Sequence, residues 1–118
     1  MKVSRKTSQE DVLAKYLWSA KYTAEGTRGL LKEGGVSRRE TISALVNKMG
    51  GTVESFYFAF GENDVYAIAD LPDNVSAAAI ALAVNSTDVV QVSTTVLMTP
   101  EEVDEATRKT VEYRAPGK

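Results

Sequence analysis

The segment Ser55-Phe56-Tyr57-Phe58-Ala59-Phe60-Gly61-Glu62-Asn63-Asp64-Val65-Tyr66-Ala67-Ile68-Ala69-Asp70-Leu71 reads as two short strands around a turn, with apolar side chains on both faces. Helices packed on one side of a sheet bury only one of those faces. If Gly61, Glu62 and Asn63 form a three-residue loop, Phe60 lies opposite Asp64, Phe58 opposite Tyr66, Phe56 opposite Ile68 and Glu54 opposite Asp70. The other face then carries Val53, Ser55, Tyr57 and Ala59 against Val65, Ala67, Ala69 and Leu71. Helices settle close to small residues, so this reading turns Phe56, Phe58, Phe60, Tyr66 and Ile68 outward. Leaving such side chains wet forfeits about 1.5–3 kcal/mol each, so the expectation is a homo-oligomer that covers them.

The rest of the chain supplies the helices. Lys15 to Tyr22 is aromatic-rich and reads as a strand, and Thr23 follows as a helix cap for about Ala24 to Glu33, closed at Gly34-Gly35. Ser37-Arg38-Arg39-Glu40 matches a capping box, with Ile42, Leu45, Val46 and Met49 forming the apolar stripe of a helix that ends at Gly50-Gly51. Pro72 and Asn74 set up an alanine-rich helix, and Asp88 to Met98 alternates as a strand, with Gln91, Ser93 and Thr95 on its polar side. Thr99-Pro100-Glu101-Glu102 repeats the capping box before a C-terminal helix expected to end before Pro116.

This order predicts an α+β, ferredoxin-like βαββαβ fold. Its antiparallel four-stranded sheet carries helices on one face, and a helix is added at the C-terminus. Residues 1–13 read as a polar arm, 14–115 as a single domain and 116–118 as a tail.

The 118 residues fit one core of modest size. Fourteen basic against 16 acidic residues, a net charge of -2, give no footprint for nucleic acid or an acidic membrane surface. With no cysteine and no histidine, disulfides, Cys-held iron–sulfur clusters, the Ser-His-Asp and Cys-His constellations and imidazole metal ligands drop out. No metal or cofactor is expected. Neither a signal-peptide stretch nor an eighteen-residue apolar run occurs, so a cytoplasmic location and no membrane partner are expected.

Five stretches together resemble the GYD-domain proteins: Ala14-Lys15-Tyr16-Leu17 with Tyr22-Thr23-Ala24-Glu25-Gly26; Gly29-Leu30-Leu31-Lys32-Glu33-Gly34-Gly35; Ser55 to Gly61; Asp70-Leu71-Pro72-Asp73-Asn74; and Leu97-Met98-Thr99-Pro100-Glu101-Glu102. The resemblance covers roughly residues 14 to 115. Asn63 in Gly61-Glu62-Asn63-Asp64 stands where the name-giving motif has tyrosine. The resemblance implies a small bacterial protein of ferredoxin-like, dimeric α/β-barrel type and brings no mechanism with it.

Candidate ligand-binding residues are Lys21, Arg38, Arg39, Asp64 and Tyr66; no catalytic residue stands out. Arg38 and Arg39 at a helix start suit a phosphate or carboxylate, or simply form a solvated basic cluster. Asp64 and Tyr66 beside Asn63 suit a polar cluster near the aromatic rings, or plain turn chemistry. Glu54 and Asp70 are expected as a carboxylate pair, with contact to Lys21 or an arginine as the bland alternative. Trp18 reads as core or interface, while Ser19, Lys21, Gln91, Ser93 and Thr95 line the open face. Three functions follow as expectations: a self-associating GYD-domain protein; a cofactor-independent enzyme acting on a small apolar molecule in a cavity; or a small-anion sensor.

Overall fold

A computed structural model describes residues 13–118, so all of the expected N-terminal arm except Leu13 lies outside the described residues. The elements are β1 (Ala14–Tyr22), α1 (Ala24–Glu33), α2 (Gly35–Lys48), β2 (Thr52–Phe58), β3 (Val65–Leu71), α3 (Asn74–Asn85), β4 (Val90–Leu97) and α4 (Pro100–Thr107). The strands form one antiparallel sheet in the order β2-β3-β1-β4, the ferredoxin-like arrangement with a C-terminal helix.

Local chemistry sets most boundaries. Thr23 caps α1 by accepting from the Gly26 amide at 3.3 Å. Gly34 then takes φ +91°, where a side chain is strained, so α1 stops and α2 starts almost at once. Asp73 caps α3 by accepting from the Ser76 amide at 2.8 Å. Thr99 and Glu102 satisfy each other's amides in the expected capping box, with Pro100 at the first turn of α4. One expectation fails here. The Ser37–Glu40 box does not form: α2 already begins at Gly35, and the Ser37 hydroxyl donates to Glu33 Oε2 at 3.3 Å. The last helix ends at Thr107, before Pro116 as expected; none of its residues is buried, so little packing extends it.

Alternation along β1 decides what the helices cover. Tyr16, Trp18 and Ala20 point to the helix side and are buried. They join Ala67, Ala69 and Leu71 of β3, Val46 of α2, and Ala77 and Ile80 of α3 in the core. Each fully buried Val or Leu there contributes about 1.5–3 kcal/mol. The Tyr16 hydroxyl donates to Asn74 Oδ1 at 2.6 Å, tying the start of α3 to the sheet, and burial followed by the nearby Asp73 charge raises its pKa.

The hairpin is paired one residue away from the expected register. Phe58 lies opposite Val65, Tyr57 opposite Tyr66, Phe56 opposite Ala67 and Ser55 opposite Ile68, and a bulge at Glu54 precedes Val53 opposite Ala69. The connection runs from Ala59 to Asp64 instead of comprising three residues. The cause is a tertiary anchor at its end. The Asp64 amide donates to the Ala20 carbonyl at 2.8 Å, its carbonyl accepts from Ala59 at 2.8 Å, and its carboxylate accepts from the Tyr22 amide at 2.8 Å. Because side chains alternate, this slip moves a whole strand face. Phe56 and Phe58 therefore lie on the helix side against the core, their rings 5.5 Å apart and edge-on, instead of on the open face. Phe60 is fully exposed on the loop, outside any strand. Tyr66 and Ile68 keep their expected place on the open face, joined there by Tyr57.

Candidate functional site

The helix side of the sheet holds a cavity of about 60 Å³ between β1, β2, α2 and α3. Trp18 and Phe56 form its floor, Ile42 and Leu45 come from α2, and Ile80 and Val84 from α3. These positions follow from strand alternation below and a helical apolar stripe above. Tyr22, the last residue of β1 and on the same face as Trp18, stands at one end of the cavity with Arg38 from the first turns of α2. Both also line an adjoining groove of about 370 Å³ toward α1 and the end of α3, walled by Gly26, Leu30, Glu33, Ala83 and Val89.

The lining of this cavity is hydrocarbon except for Trp18, Tyr22 and Arg38. Trp18 is 5% exposed, and its Nε1 is buried without a hydrogen-bond partner, unlike any other buried side-chain nitrogen or oxygen among the described residues. Such an orphaned donor costs about 1–3 kcal/mol relative to a satisfied one. At the mouth, burial pushes the Tyr22 hydroxyl above its ordinary pKa, while the Arg38 guanidinium beside it pulls the other way. Arg38 Nη1 also lies 3.9 Å from Glu33 Oε2, a loose ion pair at the rim.

The residues singled out from sequence do not converge. Arg38 enters the cavity mouth, whereas Arg39, one residue on, is exposed and lines neither space. Lys21 is exposed on the open face opposite Gln91. Tyr66 is on that face too, its hydroxyl accepting from Asn63 Nδ2 at 3.1 Å. Asp64 is engaged in anchoring the loop. Glu54 and Asp70 are brought together through Lys15 instead of Lys21: its ammonium donates to Glu54 and, at 2.9 Å, to Asp70 Oδ1. The Glu54 bond first, then Asp70, raises the Lys15 pKa. Ser19, Lys21, Gln91, Ser93 and Thr95 do share the open face, with Ser19 opposite Ser93 and Leu17 opposite Thr95.

Sequence reasoning read Trp18 as core or interface, which the core bears out, but singled out neither it nor Tyr22 as a site residue. Their spacing with Tyr16 already placed all three on one strand face; the missing signal was the unpaired indole nitrogen, which only packing reveals.

An α+β sheet covered on one side, with an apolar cavity beneath the helices, defines the class of domain. The chain belongs to the GYD domain family, whose pattern it matches over residues 16–107. No match is found among curated proteins or among solved structures. Among the described residues, no helix is long and apolar enough to cross a membrane.

Proposed function

We propose that this GYD-domain protein works as a homo-oligomer joined through the open face of its sheet. The observation that carries the reading is a contiguous apolar strip there: Leu17 lies opposite Ile68, and Tyr57 opposite Tyr66, across β2, β3 and β1. Tyr57 is 70% exposed in the single chain, and the covering helices lie on the other side. Serine and threonine hydroxyls on β1 and β4 flank the strip, a mixed surface suited to sheet-on-sheet packing with satisfied polar edges. Sedimentation should give a mass of at least two chains at micromolar concentration, and Ile68→Asp should lower it to one while the fold persists. A native monomer at that concentration overturns the reading. Phe58→Asp is no substitute, because that ring faces the helices and its loss acts on folding.

The cavity favours a second reading: the helix side takes up a small, largely apolar molecule and, as a cofactor-independent enzyme would, transforms it there. Its support is the almost wholly apolar lining of that space. Uptake should raise the melting temperature with small apolar molecules at millimolar concentration, and the cavity-filling Val84→Phe should abolish that rise. No rise for any such molecule overturns it.

A further inference from the structure

From Pro100 to Lys118 no side chain is buried, and Val111 and Tyr113 lie 78% and 77% exposed. Within this stretch α4 is eight residues long, marginal in water by itself, yet it has a complete capping box and Pro100 in its first turn. A helix started so firmly, with Val103 left 47% exposed, lacks a packing surface among the described residues. The charges of the segment say what kind of surface fits. Glu101, Glu102, Asp104 and Glu105 fall in α4, and Arg108, Lys109, Arg114 and Lys118 follow it, with Glu112 the one acid among them. Acidic side chains at a helix start suit its dipole, but Arg114 and Lys118 lie well beyond Thr107 and owe nothing to it. Among the described residues none of these eight enters an ion pair, even at the helical spacing of Asp104 to Arg108 and Glu105 to Lys109. Glu102 spends one carboxylate oxygen on the Thr99 amide and stays anionic, and Arg114 donates to the Lys118 backbone oxygen and stays cationic.

A segment acidic in its first half and basic in its second is complementary to an antiparallel copy of itself, the property a two-fold contact requires. We propose that α4 of one copy lies against residues 108–118 of a second copy, while the second copy's α4 lies against the same stretch of the first. Val103 and the acidic side chains then meet Val111, Tyr113 and the basic side chains, twice over. This rests on the homo-oligomer reading above and adds to it a clasp outside the sheet face. Only Met98 and Thr99 separate β4 from α4, so the clasp begins at the margin of the sheet. Being built from short segments, it reinforces the sheet contact and does not replace it.

Two full-length variants test it. Asp104→Lys with Glu105→Lys turns α4 basic, and Lys109→Glu with Arg114→Glu turns the following stretch acidic; all four positions are exposed, so the fold of the domain is untouched. Each variant alone sets like charges against each other and should associate about tenfold more weakly than the native chain at low salt. Refolded together, the two restore opposite charges at both contacts of a mixed pair, so native mass spectrometry should find mixed pairs well above the statistical half. Ion pairing within one chain gives no such excess, because mixing repairs nothing inside either variant. A statistical distribution of pairs therefore overturns the clasp, and if Ile68→Asp still dissociates the native protein, the sheet-face reading stands without it. A native chain that sediments as a monomer at micromolar concentration overturns both.

Discussion

Gly26 and Gly29 lie three residues apart on α1 and should respond to alanine with opposite signs. A Cβ built on Gly26 falls 2.3 Å from the Val89 carbonyl oxygen and 2.9 Å from Tyr22 Cδ1, well inside the 3.0 Å that real Cβ contacts respect. The first of these is backbone and cannot rotate away. That carbonyl accepts from the Thr23 amide at 3.0 Å and from the Thr23 hydroxyl at 3.2 Å, so displacing it loosens the cap of α1 as well as the start of β4. Overpacking costs about 1–3 kcal/mol and a weakened hydrogen bond about 1 kcal/mol, while alanine's helix propensity returns about 1 kcal/mol. The net is a loss of about 1–3 kcal/mol. Gly29 has nothing within 4 Å of its Cβ position, so there only the propensity gain remains, about 0.5–1 kcal/mol of added stability. At about 4 °C per kcal/mol for a chain of this size, Gly26→Ala should melt about 4–12 °C below the native protein and Gly29→Ala about 2–4 °C above it, by circular dichroism. A Gly26→Ala protein melting at or above the native temperature would refute the close approach of α1 to β4, and with it the shape assigned to the cavity mouth.

The capping residues should separate helices that hold the fold together from one that does not. Asp73→Ala and Thr99→Ala each remove a side-chain acceptor and cost their helix about 1 kcal/mol, but only α3 packs into the core, so urea unfolding should register the first, while the second appears as faster amide exchange confined to α4. Stability should be flat from about pH 5 to pH 9, because no histidine titrates there. Above that range it should fall. Lys15, Tyr16 and Tyr22 hold their protons more tightly when folded, so their contribution is whole below the ordinary values of 10.0 for Tyr and 10.5 for Lys and is lost as pH climbs through the raised folded values. Asp73 acts at the other end: its carboxyl is lowered by the Ser76 amide, so its contribution is whole above 3.8 and disappears as pH drops through the folded value. Denaturant midpoints across pH check both limbs, and an alkaline limb that stays level past pH 11 would contradict the first.

The legible part of this fold is the part written in neighbouring residues. Thr23 and Thr99 announce helix starts because capping is settled within one turn, and the period-two placement of Tyr16, Trp18 and Ala20 shows which face of β1 is covered. The hairpin register was not legible because its determinant is distant: Asp64 is held by Ala20 and Tyr22 of β1, more than forty positions away. Gly61 and Asn63 are turn residues by any local criterion, yet the strands stop earlier, at Phe58, and resume at Val65. The same distance explains the Ser37–Glu40 box, a valid local motif overruled by Gly34 capping the helix three residues sooner. As for the site, Arg38 was visible as a charged residue at a helix start, but its companions were not. An indole lacking a partner is a property of everything around it.

The bulge at Glu54 gives β2 an editable position. Val53 already pairs with Ala69, and Ser55 with the next residue along β3, Ile68, so Glu54 is the surplus letter between two correct words. Excising it would splice the ladder into unbroken alternation, leaving Phe56 and Phe58 toward the helices and Tyr57 outward, at the loss of one carboxylate from the Lys15 cluster. A deletion from Phe56 to Phe58 would instead turn part of the strand inside out. Length variation in this strand therefore has its safe address at the bulge, where Glu54 or Ser55 can be lost without moving either aromatic face.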